Sequence, residues 1–269
     1  MKSSKIYEKI YELYARVAKQ QPLVHHLTNW VTIYDCANIT RTIGALPVMA
    51  YAQEEVADMA NIASALVLNI GTLTPALVSA MVKAGNKANE KGIPVILDAV
   101  GAGATPLRTE KTREILAAVK VAVLKGNAGE IATVAGVQAE VRGVESVSVK
   151  GDPAEIAGNL ANSLACTVVV TGQRDIATDG SRCYFVDNGS AMLGRVVGTG
   201  CMAASVIGAF AAVETDYPLA AAAALACFGM AGELASQRAG GPGTFKVLLY
   251  DELASLDLEK IQQLAKVHK

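Results

Sequence analysis

The sequence predicts an α/β fold: a central, mainly parallel sheet flanked by helices on both faces, with a small antiparallel extension. Three observations carry that expectation. Four short runs rich in β-branched residues, 66–68, 95–97, 121–124 and 168–170, are apolar on both faces, as strands covered on both sides must be. Helical patterns at 74–91, 109–119 and 153–164 lie between them, so strand and helix alternate as in βαβ units. Hydrophobic residues make up 52% of the 269 but aromatics only 5%, and this Ala, Val, Leu and Ile content suits helices packed closely on a sheet rather than an all-β sandwich.

Along the chain, residues 1–21 form a charged amphipathic stretch without the apolar core of a signal peptide. After the fourth strand, segments 175–178 and 183–186 flank Asp179-Gly180-Ser181, a good hairpin turn, and supply the antiparallel extension. Helices are expected at 199–214 and 219–238, joined around Pro218. Gly240-Gly241-Pro242-Gly243 then breaks the chain before a last amphipathic segment. The longest apolar runs, 201–213 and 219–232, fall short of a membrane span of about 20 residues and read as buried helices. No linker or low-complexity tract divides the chain, so a single domain over 1–269 is expected.

The formal net charge of -1 provides no global field for nucleic acid or an anionic membrane. Any phosphate the protein handles has to be held locally. The five cysteines, Cys36, Cys166, Cys183, Cys201 and Cys227, are odd in number and have no C-x-x-C spacing, which argues against a disulfide framework or a zinc site and fits a cytoplasmic protein.

Each central strand runs into polar residues or glycine: Asn69-Ile70-Gly71, Asp98, Lys125-Gly126-Asn127 and Thr171-Gly172. Open parallel sheets bind ligands outside those carboxyl ends, so the four sets are expected to line one crevice. Asp98 precedes a glycine-rich loop through Thr105, an acid able to bind Mg2+ beside a backbone able to approach phosphate. Asn127 and Glu130 have the spacing of a capping box, and Glu130 could also stand beside Asp98 to orient metal-bound water, with Lys125 meeting a nucleotide phosphate. Gly198-Thr199-Gly200-Cys201 opens a long apolar helix, where unpaired amides and the helix dipole attract anions. The same position biases the Cys201 thiol toward thiolate, which leaves nucleophile, base and small buried side chain all open. A cysteine hydrolase pairing Cys201 with His25 or His26, a nucleotide-binding regulator without turnover, and a kinase for a pyrimidine or pyridoxal alcohol or an ATP-dependent hydrate dehydratase are the alternatives; for the histidines, as for Met49, a place in the core is the plainer reading.

With those residues placed, the chain resembles the ribokinase-like superfamily and, within it, the bacterial hydroxyethylthiazole kinases. The passages that carry the resemblance are His26-Leu27-Thr28-Asn29, Pro47-Val48-Met49-Ala50-Tyr51, residues 68–73, residues 98–105, residues 125–130 and Gly198-Thr199-Gly200-Cys201. The final Cys is the most telling, because most of the superfamily is similar here but places an aspartate base there. The resemblance implies a ribokinase-like fold, a homotrimer with active sites between subunits, and Mg2+- and ATP-dependent phosphorylation of the primary alcohol of 4-methyl-5-(2-hydroxyethyl)thiazole for thiamine salvage. It further implies that Met49, Asn29, Val31 and Gly198 contact the thiazole and that Lys125, Thr171 and Asn127 serve ATP. Asp98 and Glu130 would support Mg2+, and Gly198, Thr199, Gly200 and Cys201 would form the anion hole. Two departures stand out. Ala99 replaces a frequent proline after the acid, which is expected to loosen the loop, and Lys125 replaces a frequent arginine, keeping phosphate attraction but losing bidentate geometry.

Overall fold

The computed structural model describes residues 4–137, 139–142 and 145–269. Amphipathic α1 (Ser4–Gln20) leads into β1 (Leu23–Leu27). Four helix–strand units follow: α2 (Ile33–Thr42) with β2 (Leu46–Val48), α3 (Val56–Ile62) with β3 (Ala65–Asn69), α4 (Pro75–Lys91) with β4 (Val95–Asp98), and α5 (Pro106–Ala118) with β5 (Val123–Asn127). Next come α6 (Ala128–Val134), an antiparallel pair of β6 (Ala139–Arg142) and β7 (Glu145–Val149), and α7 (Pro153–Leu164). The chain then re-enters the sheet at β8 (Thr167–Thr171), β9 (Asp175–Thr178) and β10 (Cys183–Val186). It ends with α8 (Thr199–Ala211), α9 (Tyr217–Arg238), α10 (Pro242–Ala254), α11 (Leu258–Leu264) and β11 (Val267–His268).

The nine-stranded sheet runs β11-β10-β9-β8-β5-β4-β3-β1-β2. Strands β2 through β8 in that order are parallel, and β9, β10 and β11 add the antiparallel extension. Alternate residues feed two cores, as the strand period requires. Val67, Ile96, Val123 and Val169 pack with α1, α8 and α9, while Leu66, Leu68, Leu97 and Leu124 pack with α4, α5 and α7. A Cβ on Gly208 of α8 would meet Val67 Cγ2 at 2.6 Å, so the missing side chain is what lets α8 lie close on the sheet. That approach brings the N-terminus of α8 over the carboxyl ends of the strands.

Differences from the sequence expectation have local causes. Strand β1 was not anticipated because His25 and His26 interrupt its apolar run, and β2 carries Pro47, which an edge strand tolerates. Helix α5 begins at Pro106 rather than 109, since the Thr105 side chain accepts from Arg108 N and proline suits the first helical position. Helix α9 begins at Tyr217 and is, against expectation, long and apolar enough to cross a membrane; 78% of its apolar window is buried inside the fold, where it serves as a core helix.

Candidate active site

Asn69, Asp98 and Lys125 form a row across three neighbouring strands. Asn69 is in register with Asp98, and Asp98 with Lys125, so their side chains leave the same face at the carboxyl end of the sheet. Asp98 Oδ2 accepts from Asn69 Nδ2 at 2.8 Å, and Asp98 Oδ1 accepts from Lys125 Nζ at 2.9 Å. All three are buried. Burial pushes the Asp98 carboxyl up, opposed by the Lys125 ammonium and the Asn69 amide. For Lys125, burial works against the charge, but Asp98 and Glu130 outweigh it and hold the ammonium protonated.

Over this row sits the start of α8. Gly198 is its N-cap, with φ +93, and the amides of Thr199, Gly200 and Cys201 lie in the first turn, where no intrahelical carbonyl is available. Thr199 Oγ1 donates to Leu193 O at 2.9 Å, anchoring the turn to the preceding loop. A Cβ on Gly198 would meet Thr32 Cγ2 at 2.5 Å, whereas one on Gly200 would meet only Lys125 Nζ, at 3.7 Å. Lys125 therefore brings its ammonium up to the first turn of α8.

Asn29 links this turn to the row. Its Nδ2 lies 3.0 Å from Asn69 Oδ1 and 3.3 Å from Cys201 Sγ, while its Oδ1 accepts from Thr32 N at 3.0 Å. The expected thiolate at Cys201 is not what this environment favours. Burial, followed by the Asp98 carboxylate, raises the thiol above its ordinary value despite Thr32, Lys125 and Asn69 nearby. The cysteine–histidine alternative also fails on geometry. His25 Nε2 donates to Ala50 O at 2.9 Å, and His26 Nδ1 donates to Val24 O at 3.1 Å with Nε2 at 3.4 Å from Thr40 Oγ1. Both rings are core residues of β1.

Glu130 completes the acidic side. The capping box with Asn127 is present: Asn127 Oδ1 accepts from Glu130 N at 2.9 Å, and Glu130 Oε2 accepts from Asn127 N at 2.7 Å. Glu130 also reaches the glycine-rich loop, its Oε1 accepting from Gly101 N at 2.6 Å. Capping and loop support are thus one function of the same carboxylate. Burial and the Asp98 charge push Glu130 up to about 7, opposed by the Gly101 amide, Lys125 and the Asn127 amide. Two buried carboxyls, Asp98 and Glu130, thus stand near one ammonium, and each disfavours the charged form of the other. Among the described residues no three His, Cys, Asp or Glu side chains gather to hold a metal alone. Asp98 and Glu130 are the two carboxyls available at this site, and one or two carboxylates beside waters and phosphate oxygens is the donor set that Mg2+ uses.

A cavity of about 340 Å3 is lined by Asp98, Lys125, Asn127, Glu130, Thr171 and residues 193–201. Asn29, Val31 and Met49 are not part of its wall. They lie on the segments leaving β1 and β2, with Asn29 beside Cys201, Val31 exposed and Met49 half-buried. A larger cavity of about 550 Å3 at the opposite ends of β4, β5 and β8 contains none of the row. The charged groups converge on the smaller one.

Ala99 gives the loop after Asp98 a bond that the frequent proline could not supply. Its buried N–H donates to Lys125 O at 2.9 Å, a continuation of the β4–β5 ladder that proline could not make. Sequence reasoning also missed Arg108, which donates to Ile70 O at 3.0 Å, Val100 O at 2.9 Å and Gly71 O at 2.8 Å and so ties the loops after β3 and β4 together. Nothing in its local pattern signals that reach. Arg195, on the cavity wall, was missed as well; its place in the polar segment before Gly198 was the available signal.

Comparison with known proteins gives the same picture. Residues 14–259 match the hydroxyethylthiazole kinase family. A hydroxyethylthiazole kinase from Methanosarcina mazei is 55% identical over 253 residues, covering 94% of this chain and 97% of the relative. The solved structure of a hydroxyethylthiazole kinase protein from Pyrococcus horikoshii OT3 superposes with a TM-score of 0.89 at 42% identity, covering 97% of this chain and 98% of that one. A ribokinase-like superfamily protein from Enterococcus faecalis V583 shares the fold alone, at 12% identity and a TM-score of 0.62 over 86% of each chain. The chain belongs to the hydroxyethylthiazole kinase family.

Proposed function

We propose that the protein transfers the γ-phosphoryl group of ATP to the primary hydroxyl of 4-methyl-5-(2-hydroxyethyl)thiazole. The observation that carries this reading is the buried Asn69, Asp98 and Lys125 row lying directly under the Gly198–Cys201 turn, with Asn29 joining it to the acceptor side. Asp98 and Glu130 would hold Mg2+ through water and phosphate oxygens, and the ion would neutralise charge on the transferring group. Lys125 and the amides of Thr199, Gly200 and Cys201 bind the phosphoryl oxygens, Lys125 as a point charge from below and the amides from the helix start. Thr171 and Asn127 lie on the nucleotide side, and Asn29, Val31, Met49 and Gly198 receive the thiazole. The anion site then fixes the two reacting groups in line.

Such transfer passes through a loose transition state, so the alcohol loses its proton late and needs little base strength. Cys201, with its raised thiol, stands beside the hydroxyl as a weak acceptor whose loss is tolerated. Trp30, Val31, Tyr34 and Val197 expose large apolar side chains on the segments around this site. These support a homotrimer in which a neighbouring subunit closes the acceptor side. The test is ADP release from Mg-ATP with a panel of vitamin-precursor alcohols. Turnover confined to the thiazole alcohol is expected; turnover with a pyridoxal or pyrimidine alcohol instead overturns the assignment. Sedimentation of the purified chain at monomer mass overturns the trimer.

A further inference from the structure

His25 is fully buried in the middle of β1, in register with Val48 of β2 and Leu66 of β3. Its Nε2–H donates to Ala50 O at 2.9 Å, and its Nδ1 has no hydrogen-bond partner among the described residues. A leucine at this strand position would remove the bare Nδ1 but leave Ala50 O without its side-chain donor, so the contribution specific to the ring is its bond to Ala50. Burial lowers the imidazole below its ordinary histidine value, which keeps that donor neutral. A second tie lies one residue on. Tyr51 OH donates to Thr28 O at 3.1 Å, and its ring stacks on Trp30 with centroids 4.7 Å apart. Strand β2 is three residues long and lies at the sheet edge, so the ladder gives the segment that follows it little support.

We propose that His25 and Tyr51 are positioning residues for the acceptor alcohol, holding the segment that carries Met49 against the segment that carries Asn29 and Val31. The two segments leave adjacent strand ends and face the thiazole together, and Asn29 passes that placement on to Cys201 through its amide. This inference rests on the thiazole reading of the acceptor side given above.

The experiment is steady-state kinetics of the full chain with Mg-ATP and the thiazole alcohol, for wild type, His25→Leu, His25→Gln and Tyr51→Phe. Loss of one such bond is expected to raise KM for the alcohol about five- to tenfold in His25→Leu and Tyr51→Phe. In both, kcat and KM for Mg-ATP stay within about twofold, because only acceptor placement is disturbed. His25→Gln, whose amide can reach Ala50 O, is expected to restore KM. Unchanged KM for the alcohol, or a joint decline in all constants that glutamine does not rescue, overturns the inference. If His25→Leu does not fold, Tyr51→Phe decides, since it removes one hydroxyl and keeps the stacked ring. A wild-type protein inactive on the thiazole alcohol overturns the functional reading and this inference with it, whereas an active wild type with flat KM overturns the inference alone.

Discussion

Lys125 Nζ lies 2.9 Å from Asp98 Oδ1, with the two side chains 4% and 1% exposed, so the centre of the site is an ion pair almost out of reach of water. Removing one partner leaves a buried uncompensated charge. Lys125→Met is expected to cost about 3–5 kcal/mol of folding stability and to abolish ADP release. The double variant Lys125→Gln with Asp98→Asn keeps a neutral hydrogen-bonded pair and is expected to recover stability to within about 1 kcal/mol without recovering turnover. Urea unfolding beside the kinase assay separates the two effects; recovery of turnover in the double variant overturns the anion-binding role of Lys125.

Gly198 and Gly200 lie in the same turn but carry different burdens. Gly198 combines φ +93 with Thr32 at 2.5 Å from its absent Cβ, so Gly198→Ala is expected to lose stability by at least about 1–2 kcal/mol together with most activity. Gly200 meets only Lys125 at 3.7 Å, so Gly200→Ala is expected to fold normally, within about 0.5 kcal/mol. Its methyl faces Lys125, where the phosphoryl group is proposed to bind, and by crowding that group it is expected to lower turnover about 100-fold, as much as displacing the group from one oxyanion donor would. Wild-type kcat in Gly200→Ala counts against phosphate binding at this turn.

Cys201 is held as a thiol by burial and Asp98. Its alkylation by iodoacetamide is therefore expected to be slower at pH 7.5 than that of free cysteine and to accelerate only above pH 9. Cys201→Ala is expected to keep measurable turnover, and Cys201→Asp to preserve or raise it. A dead Cys201→Ala enzyme with a trapped covalent adduct at the thiol refutes the direct transfer proposed here.

Buried His26 predicts the acid limb of stability. Burial first, and His25 secondarily, lower its ring to about 3, against the bond to Val24 O. Because the folded-state value lies below the unfolded one of about 6.5, this contribution is complete above pH 6.5 and is lost as pH falls toward 3. The slope expected from this group is about 1.4 kcal/mol per pH unit inside that window. In His26→Leu the urea-derived stability between pH 6 and 4.5 is expected to fall less steeply than in wild type. An identical slope overturns the assignment.

Much of this arrangement was legible in the chain because it is local. The alternation of doubly apolar strands with helices gave the sheet, and the capping-box spacing of Asn127 and Glu130 appears as expected. Strand β1 was obscured by its histidines, whose buried rings each donate to a backbone carbonyl where a pattern expects an aliphatic side chain. Arg108 was illegible for a different reason: its three carbonyl partners lie 8, 37 and 38 residues away.

What the chain determines by itself is the inventory: acids, a lysine and glycines at strand ends and helix starts, where backbone conformation and unpaired amides follow from short-range chemistry. What only the tertiary structure decides is how these groups change one another. The register of β3, β4 and β5 sets Asn69 beside Asp98 and Asp98 beside Lys125, and the close seat of α8 on Val67 lowers its first turn onto the lysine. The Cys201 thiol shows the consequence. Read locally, a helix N-terminus favours its thiolate, but desolvation and a carboxylate brought in from β4, 103 residues away in the chain, favour the thiol. Charge interactions in a buried site depend on distance through space, and sequence spacing does not carry that information.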